Sequence, residues 1–118
     1  MSVVGIGGVF FRADNPEALQ AWYDKHLGVV VDFAAPWVPQ PGPTLFMPFK
    51  RDADHFPLDR QWMINFRVRE LDKLISALRG AGIEVTTHAE WDTPETGKFA
   101  RIYDPEGNPI ELWEPPVD

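Results

Sequence analysis

The sequence contains no cysteine. That removes disulfides, thiolate catalysis and Cys-ligated zinc or iron–sulfur sites, and it makes a reducing, cytoplasmic compartment the expectation. No apolar run approaches the roughly 18 residues that a membrane span needs. The opening residues MSVVGIGGVFF carry no basic n-region of a secretory signal. Positive charge is scarce: 11 Lys and Arg stand against 18 Asp and Glu, for a net charge of −7. Without a basic patch, neither nucleic acid nor an anionic membrane is an expected partner. His-Glu-x-x-His, Gly-x-Ser-x-Gly and a phosphate loop are all missing. Gly5-x-Gly-Gly is not followed by a helix, so it is no dinucleotide fingerprint.

What is abundant is proline and large aromatics. Proline is 12 of 118 residues, about twice the usual ~5%. Five Trp and eight Phe accompany it. At 44% hydrophobic and 25% charged, the chain has the composition of a folded domain. Its 118 residues suffice for one domain with a real core.

Val3 to Ala13 reads as a strand weakened by Gly5, Gly7 and Gly8. Asp14 or Asn15 then caps a helix with Pro16 and Glu17 in its first turn. Leu19, Trp22, Tyr23 and Leu27 form its apolar stripe, and Gly28 stops it. Val29 to Phe33 and Thr44 to Phe49 read as further strands. Ala34 to Pro43 is a proline-rich loop, and Lys50 to Arg60 is irregular and acid-bearing.

The pattern then restarts. Gln61 to Arg69 alternates as a strand. Leu71, Leu74, Ile75 and Leu78 make a helical stripe ended by Gly80 and Gly82. Ile83 to Thr87, Phe99 to Tyr103 and Pro109 to Glu114 read as strands, the last two joined by the turn Asp104-Pro-Glu-Gly-Asn108. At an offset of 55 positions Phe11 falls on Phe66, Arg12 on Arg67 and Leu19 on Leu74. The chain is therefore read as α+β, a single domain over 1–118 made of two β-α-β-β(-β) modules, about 1–60 and 61–118.

Alternation assigns the sheet faces. Ile64, Phe66 and Val68 belong under the second helix; Val9, Phe11 and Ala13 belong under the first. The opposite faces then carry Gly8, Phe10, Arg12, Met63, Asn65, Arg67, Glu111 and Trp113. Aromatic, cationic, anionic and amide groups together suit neither a dry core nor a plain solvated sheet. They suit a small-molecule site. A plain structural ion pair of Arg12 or Arg67 with Glu111 is the competing reading.

The segment Asp104-Pro-Glu-Gly-Asn-Pro-Ile-Glu-Leu-Trp-Glu-Pro115 resembles the C-terminal signature of the glyoxalase/bleomycin-resistance/dioxygenase group, the vicinal oxygen chelate superfamily. Phe11-Arg-Ala-Asp-Asn-Pro-Glu-Ala-Leu, Trp22-Tyr23, His26-Leu-Gly28 and Asn65-Phe-Arg-Val resemble its other elements. The resemblance implies two βαβββ modules curled into an open barrel or cup, usually in a homodimer. It also implies either a divalent ion that chelates neighbouring substrate oxygens or a metal-free cup that sequesters flat drugs. Its usual first-strand metal ligands fall on Gly8 and Met63, and only Glu111 matches a ligand position. One carboxylate does not hold a catalytic divalent ion. His55 with Asp52 and Asp54, and His88 with Glu90, are the remaining donor groups; His26 suits a helix C-terminus.

Three functions follow. The first is a metal-independent binder of a planar small molecule. Phe10 and Trp113, with Trp37, Trp62, Trp91 or Phe99, would be its walls, and Arg12, Arg67 and Asn65 would orient the ligand beside Met63. The second is a lyase, isomerase or dioxygenase with Glu111 as general base or as ligand of an atypical metal. The third is an interaction module with a vestigial cup.

Overall fold

The computed structural model describes residues 2–30 and 32–117. Its elements are α1 (Pro16–Leu27), β1 (Ile64–Arg67), α2 (Leu71–Gly80), a 3-10 turn (Ala89–Trp91), β2 (Lys98–Tyr103) and β3 (Pro109–Glu114).

Helix α1 starts where the residues dictate. The Asn15 side chain accepts from the Ala18 N–H at 3.1 Å, Pro16 fills the first turn where no N–H is needed, and Glu17 faces the positive end of the dipole. Gly28 ends the helix at φ 67°, donating to the Asp24 carbonyl at 3.0 Å. Helix α2 buries Leu71, Ile75 and Leu78. Its entry residue Glu70 sits at φ 52° and gives no side-chain cap. The cap comes instead from β3, where Glu114 Oε1 accepts the Leu71 N–H at 2.6 Å.

The three strands form one sheet in the order β1-β3-β2. β3 runs parallel to β1 and antiparallel to β2, in the registers Asn65↔Glu111↔Arg101 and Arg67↔Trp113↔Phe99. A bridge between Thr86 and Arg101 adds a fragment of pairing on the far side of β2. α2 covers one face: Leu71, Ile75 and Leu78 close over Ala100, Ile102, Ile110 and Leu112, with Ile64, Phe66 and Val68 packed against them. Leu19 and Tyr23 bring α1 into the same core.

The turn after β2 docks the first half of the chain. Asp104 accepts from the Glu106 and Asn108 N–H groups, from Asn108 Nδ2, and from the Tyr23 hydroxyl. The Glu106 carboxylate accepts the N–H groups of Asp14 (2.6 Å) and Asn15 (3.0 Å) at the start of α1. Burial, then the hydrogen bond to Asp104 and that group's charge, push the Tyr23 phenol far above its ordinary range.

Several expected strands are corrected. Among the described residues, Val3–Ala13, Val29–Phe33 (apart from Val31, which lies outside them) and Thr44–Phe49 carry no strand, and Ile83–Thr87 reduces to the bridge at Thr86. A strand needs a partner's free edge as well as a suitable composition. In the first half of a single chain these segments find none. The two-module barrel thus appears as one three-stranded sheet plus the helix of the first half. Phe11 nonetheless meets Tyr23 of α1 edge-on, with ring centres 6.3 Å apart, and Ala13 packs on the core as the alternation requires.

Candidate functional site

The sheet face away from α2 carries two rows of side chains, each contributed by all three strands. In the first row lie Asn65, Glu111 and Arg101; in the second, Arg67, Trp113 and Phe99. The alternation that sends Ile64, Phe66, Ile110 and Leu112 under the helix forces these residues to the other side.

Glu111 is buried at 8% exposure, and both of its oxygens are engaged. Asn65 Nδ2 donates to Oε1 at 2.8 Å, and His55 Nε2 stands 3.0 Å from Oε2. Which of the two donates in the His55–Glu111 contact is set by the imidazole tautomer. His55 is held by its backbone too: Arg101 Nη2 donates to its carbonyl at 2.7 Å. The Phe49 ring lies edge-on, 5.3 Å from the imidazole. A recess of about 320 Å³ opens here, bounded by His55, Phe56, Leu58, Asp54, Arg101 and Tyr103.

In the second row Trp113 stacks on Phe99, with planes 9° apart and centres at 6.2 Å. Trp113 Nε1 donates to the Thr96 carbonyl at 2.7 Å, which fixes the ring. Arg67 Nη2 donates to the Gln40 carbonyl at 2.9 Å, and Arg69 Nη2 to the Gln40 side chain at 2.6 Å. The proline-rich loop is thereby strapped to the sheet. Gly42 permits this approach, because a Cβ there would collide with the Arg67 guanidinium.

The expected site residues divide. Asn65, Arg67, Glu111 and Trp113 share this face, and Met63 directly precedes β1. Phe10 is not brought to it. Its side chain is 98% exposed and lines a separate cavity of about 380 Å³ on the helix side of β1, with Tyr23, Trp37, Trp62 and Phe66. Arg12 is exposed, and no hydrogen bond or ion pair joins it to Glu111 among the described residues. The competing reading, an ion pair of Arg12 or Arg67 with Glu111, is not found among the described residues, where Glu111 instead meets His55 and Asn65. Trp91 packs on His88 instead, with ring centres 4.5 Å apart.

Two contributors, Arg101 and Gln40, were not singled out from the sequence. Arg101 could have been found, since Phe99, Arg101 and Tyr103 alternate with Ala100 and Ile102. His55 was considered as a metal donor beside Asp52 and Asp54, and its place against Glu111 was not readable because it lies in an irregular segment where no periodicity assigns a direction. Gln40 acts partly through its backbone, which composition does not reveal.

A profile of the glyoxalase-like domain matches residues 8–113. The chain belongs to the glyoxalase-like domain family. No curated protein matches it. Among solved structures it is similar to TnmS3, an antibiotic binding protein from Streptomyces sp. CB03234, at 20% identity and a TM-score of 0.60, covering 98% of both chains. That likeness is one of fold.

The resemblance to the glyoxalase group implies a divalent ion held by side chains of the sheet. Glu111 stands on β3 as that pattern requires, but Gly8 and Met63 offer no ligand atoms of the usual kind. Both Glu111 oxygens already face other side chains. Among the described residues, no three His, Asp or Glu side chains converge as an ion-binding group. His88 and Glu90 come only within 3.9 Å of each other at the surface. These residues do not fit the usual ion. No helix among the described residues is long and apolar enough to cross a membrane.

Proposed function

We propose that this glyoxalase-like chain binds a planar, aromatic small molecule on the open sheet face, independently of metal, and that a second copy of the chain completes the site. The observation that carries the reading is the Phe99–Trp113 stack set beside the buried, hydrogen-bonded Asn65–Glu111–His55 cluster. Phe99 is the half-buried, accessible ring of the pair and Trp113, at 6% exposure, backs it; fixed aromatic rings with a few polar groups suit recognition of a flat ligand. Antibiotic binding by the similarly folded TnmS3 supports a small-molecule ligand.

The second copy is argued from what the single chain leaves open. Val4, Phe10, Phe33 and Phe46 are largely exposed, an apolar surface that a partner copy would cover. The radius of gyration is 14.8 Å, against about 13.5 Å for a compact chain of this length. The segments that compose as strands without a ladder partner, Val3–Ala13 and Thr44–Phe49, would find one in another copy. Association of this kind places residues 1–60 and 61–118 as the two modules of one glyoxalase-like unit.

The test is elemental analysis of protein purified without a histidine tag and without chelator, then titration of chelator-treated protein with planar aromatic antibiotics followed by tryptophan fluorescence. Saturable quenching without bound metal is expected. A stoichiometric divalent ion that is lost in Glu111→Ala would overturn the reading in favour of the metal-dependent lyase, isomerase or dioxygenase.

A further inference from the structure

Among the described residues Arg101 is the one buried cation, at 6% exposure, and it stands on the sheet face away from α2. Its register partner on β3 is Glu111, yet the two do not pair: Glu111 is occupied by Asn65 and His55. Among the described residues no carboxylate oxygen lies within 4.0 Å of the Arg101 guanidinium. Nη2 has only a neutral carbonyl, that of His55, and the buried Nε has no partner at all. A guanidinium presents five N–H donors and keeps its charge at any ordinary pH. Burying it on one carbonyl is costly unless an anion completes it. The same guanidinium borders the recess of about 320 Å³, which has room for such a group.

We infer that Arg101 anchors a single carboxylate on an aromatic ligand, seated in the recess between the segment Asp54–Leu58 and Tyr103. The inference rests on the reading of the open face as a ligand site and names the ligand's charge. A carboxylate is favoured over a phosphate dianion because Asp54 borders the same recess and Glu111 lies next to it in the row. A second negative charge there would be repelled, and guanidinium matches the carboxylate fork with two parallel donors.

The experiment is calorimetric titration of the full chain with naphthoate and with naphthamide, which share a ring system and differ in charge. Naphthoate is expected to bind roughly tenfold or more tightly than the amide, the scale of one charge-assisted contact. Arg101→Gln should bring the two ligands to parity, and Arg101→Lys should restore part of the difference. Circular dichroism monitors folding of both variants. Should Arg101→Gln not fold, the wild-type salt dependence decides: naphthoate binding weakens with added salt while amide binding holds. Equal affinity of wild type for acid and amide would overturn the Arg101 assignment and leave the planar-ligand reading standing. Failure of both to bind would remove both.

Discussion

The Tyr23 hydroxyl donates to Asp104 Oδ2 at 2.7 Å, joining α1 to the turn between β2 and β3 across 81 residues. The bond is buried, and its acceptor is a carboxylate that also organises the turn. Tyr23→Phe keeps the ring and removes one charge-assisted bond. A loss of about 1.5–3 kcal/mol is expected, read from the urea midpoint at an unchanged m-value.

The same contact makes stability fall at alkaline pH. The folded-state pKa of Tyr23 lies above the ordinary phenol value of 10.0, so the unfolded chain ionises first and the folded chain holds the proton longer. The contribution is fully present below pH 10.0 and is lost as pH rises from there toward the folded pKa. Wild type should lose stability above about pH 10 more steeply than Tyr23→Phe. Parallel urea midpoints of the two proteins across that range would show that Tyr23 does not carry the effect.

Capping of α2 by a residue of another element gives a second expectation. Removing the acceptor in Glu114→Ala leaves the Leu71 N–H without a partner at a buried helix start. A cost of about 1 kcal/mol is expected. Glu70 at φ 52° is the one described non-glycine residue with positive φ. Glu70→Gly should therefore raise the melting temperature, with a gain of about 0.5 kcal/mol once glycine's extra unfolded-state entropy is offset.

The second half of the chain was legible because each of its signals is local. Period-two alternation separated Ile64 and Phe66 from Asn65 and Arg67. The stripe from Leu71 to Leu78 marked α2, and the turn chemistry of 104–108 marked the hairpin. The first half carries equally good strand composition, yet no strand forms there among the described residues. Alternation says which way a side chain points, but it does not supply the neighbouring edge. Phe11 and Phe66, which the 55-position offset aligns, both meet Tyr23 of α1 with ring centres 6.3 Å apart and planes at 67°. His55 and the Gln40 carbonyl come to the site through loop paths, and loops encode position through contacts far along the chain.

The Asn65–Glu111 contact supplies a third expectation. Asn65→Ala strips Glu111 Oε1 of its donor while the carboxylate stays buried. An unsatisfied buried acceptor costs about 1–3 kcal/mol, and more when charged. Glu111→Gln keeps the shape and the acceptor oxygen for Asn65, and its amide N–H can donate to His55 Nε2 in the other tautomer, so it should cost less than Asn65→Ala. The reverse order in chemical denaturation would show that the carboxylate reaches solvent and that the cluster does not restrain it.

Association can be probed at Phe10, whose ring is 98% exposed in the single chain. If the chain stood alone, replacing an exposed phenylalanine by a charged residue would leave its mass and its fold unaffected, with a stability change inside ±0.5 kcal/mol or so. If a second copy covers the N-terminal segment, Phe10→Glu buries a carboxylate against apolar neighbours and the assembly weakens by several kcal/mol. Sedimentation equilibrium separates the cases: wild type is expected at twice the chain mass, and Phe10→Glu shifts toward the single chain at the same concentration. A wild-type protein that sediments as one chain over the whole accessible range would mean that the exposed segments of the first half serve the ligand directly. The Trp37–Trp62 cavity on the helix side of β1 would then become the site to mutate next.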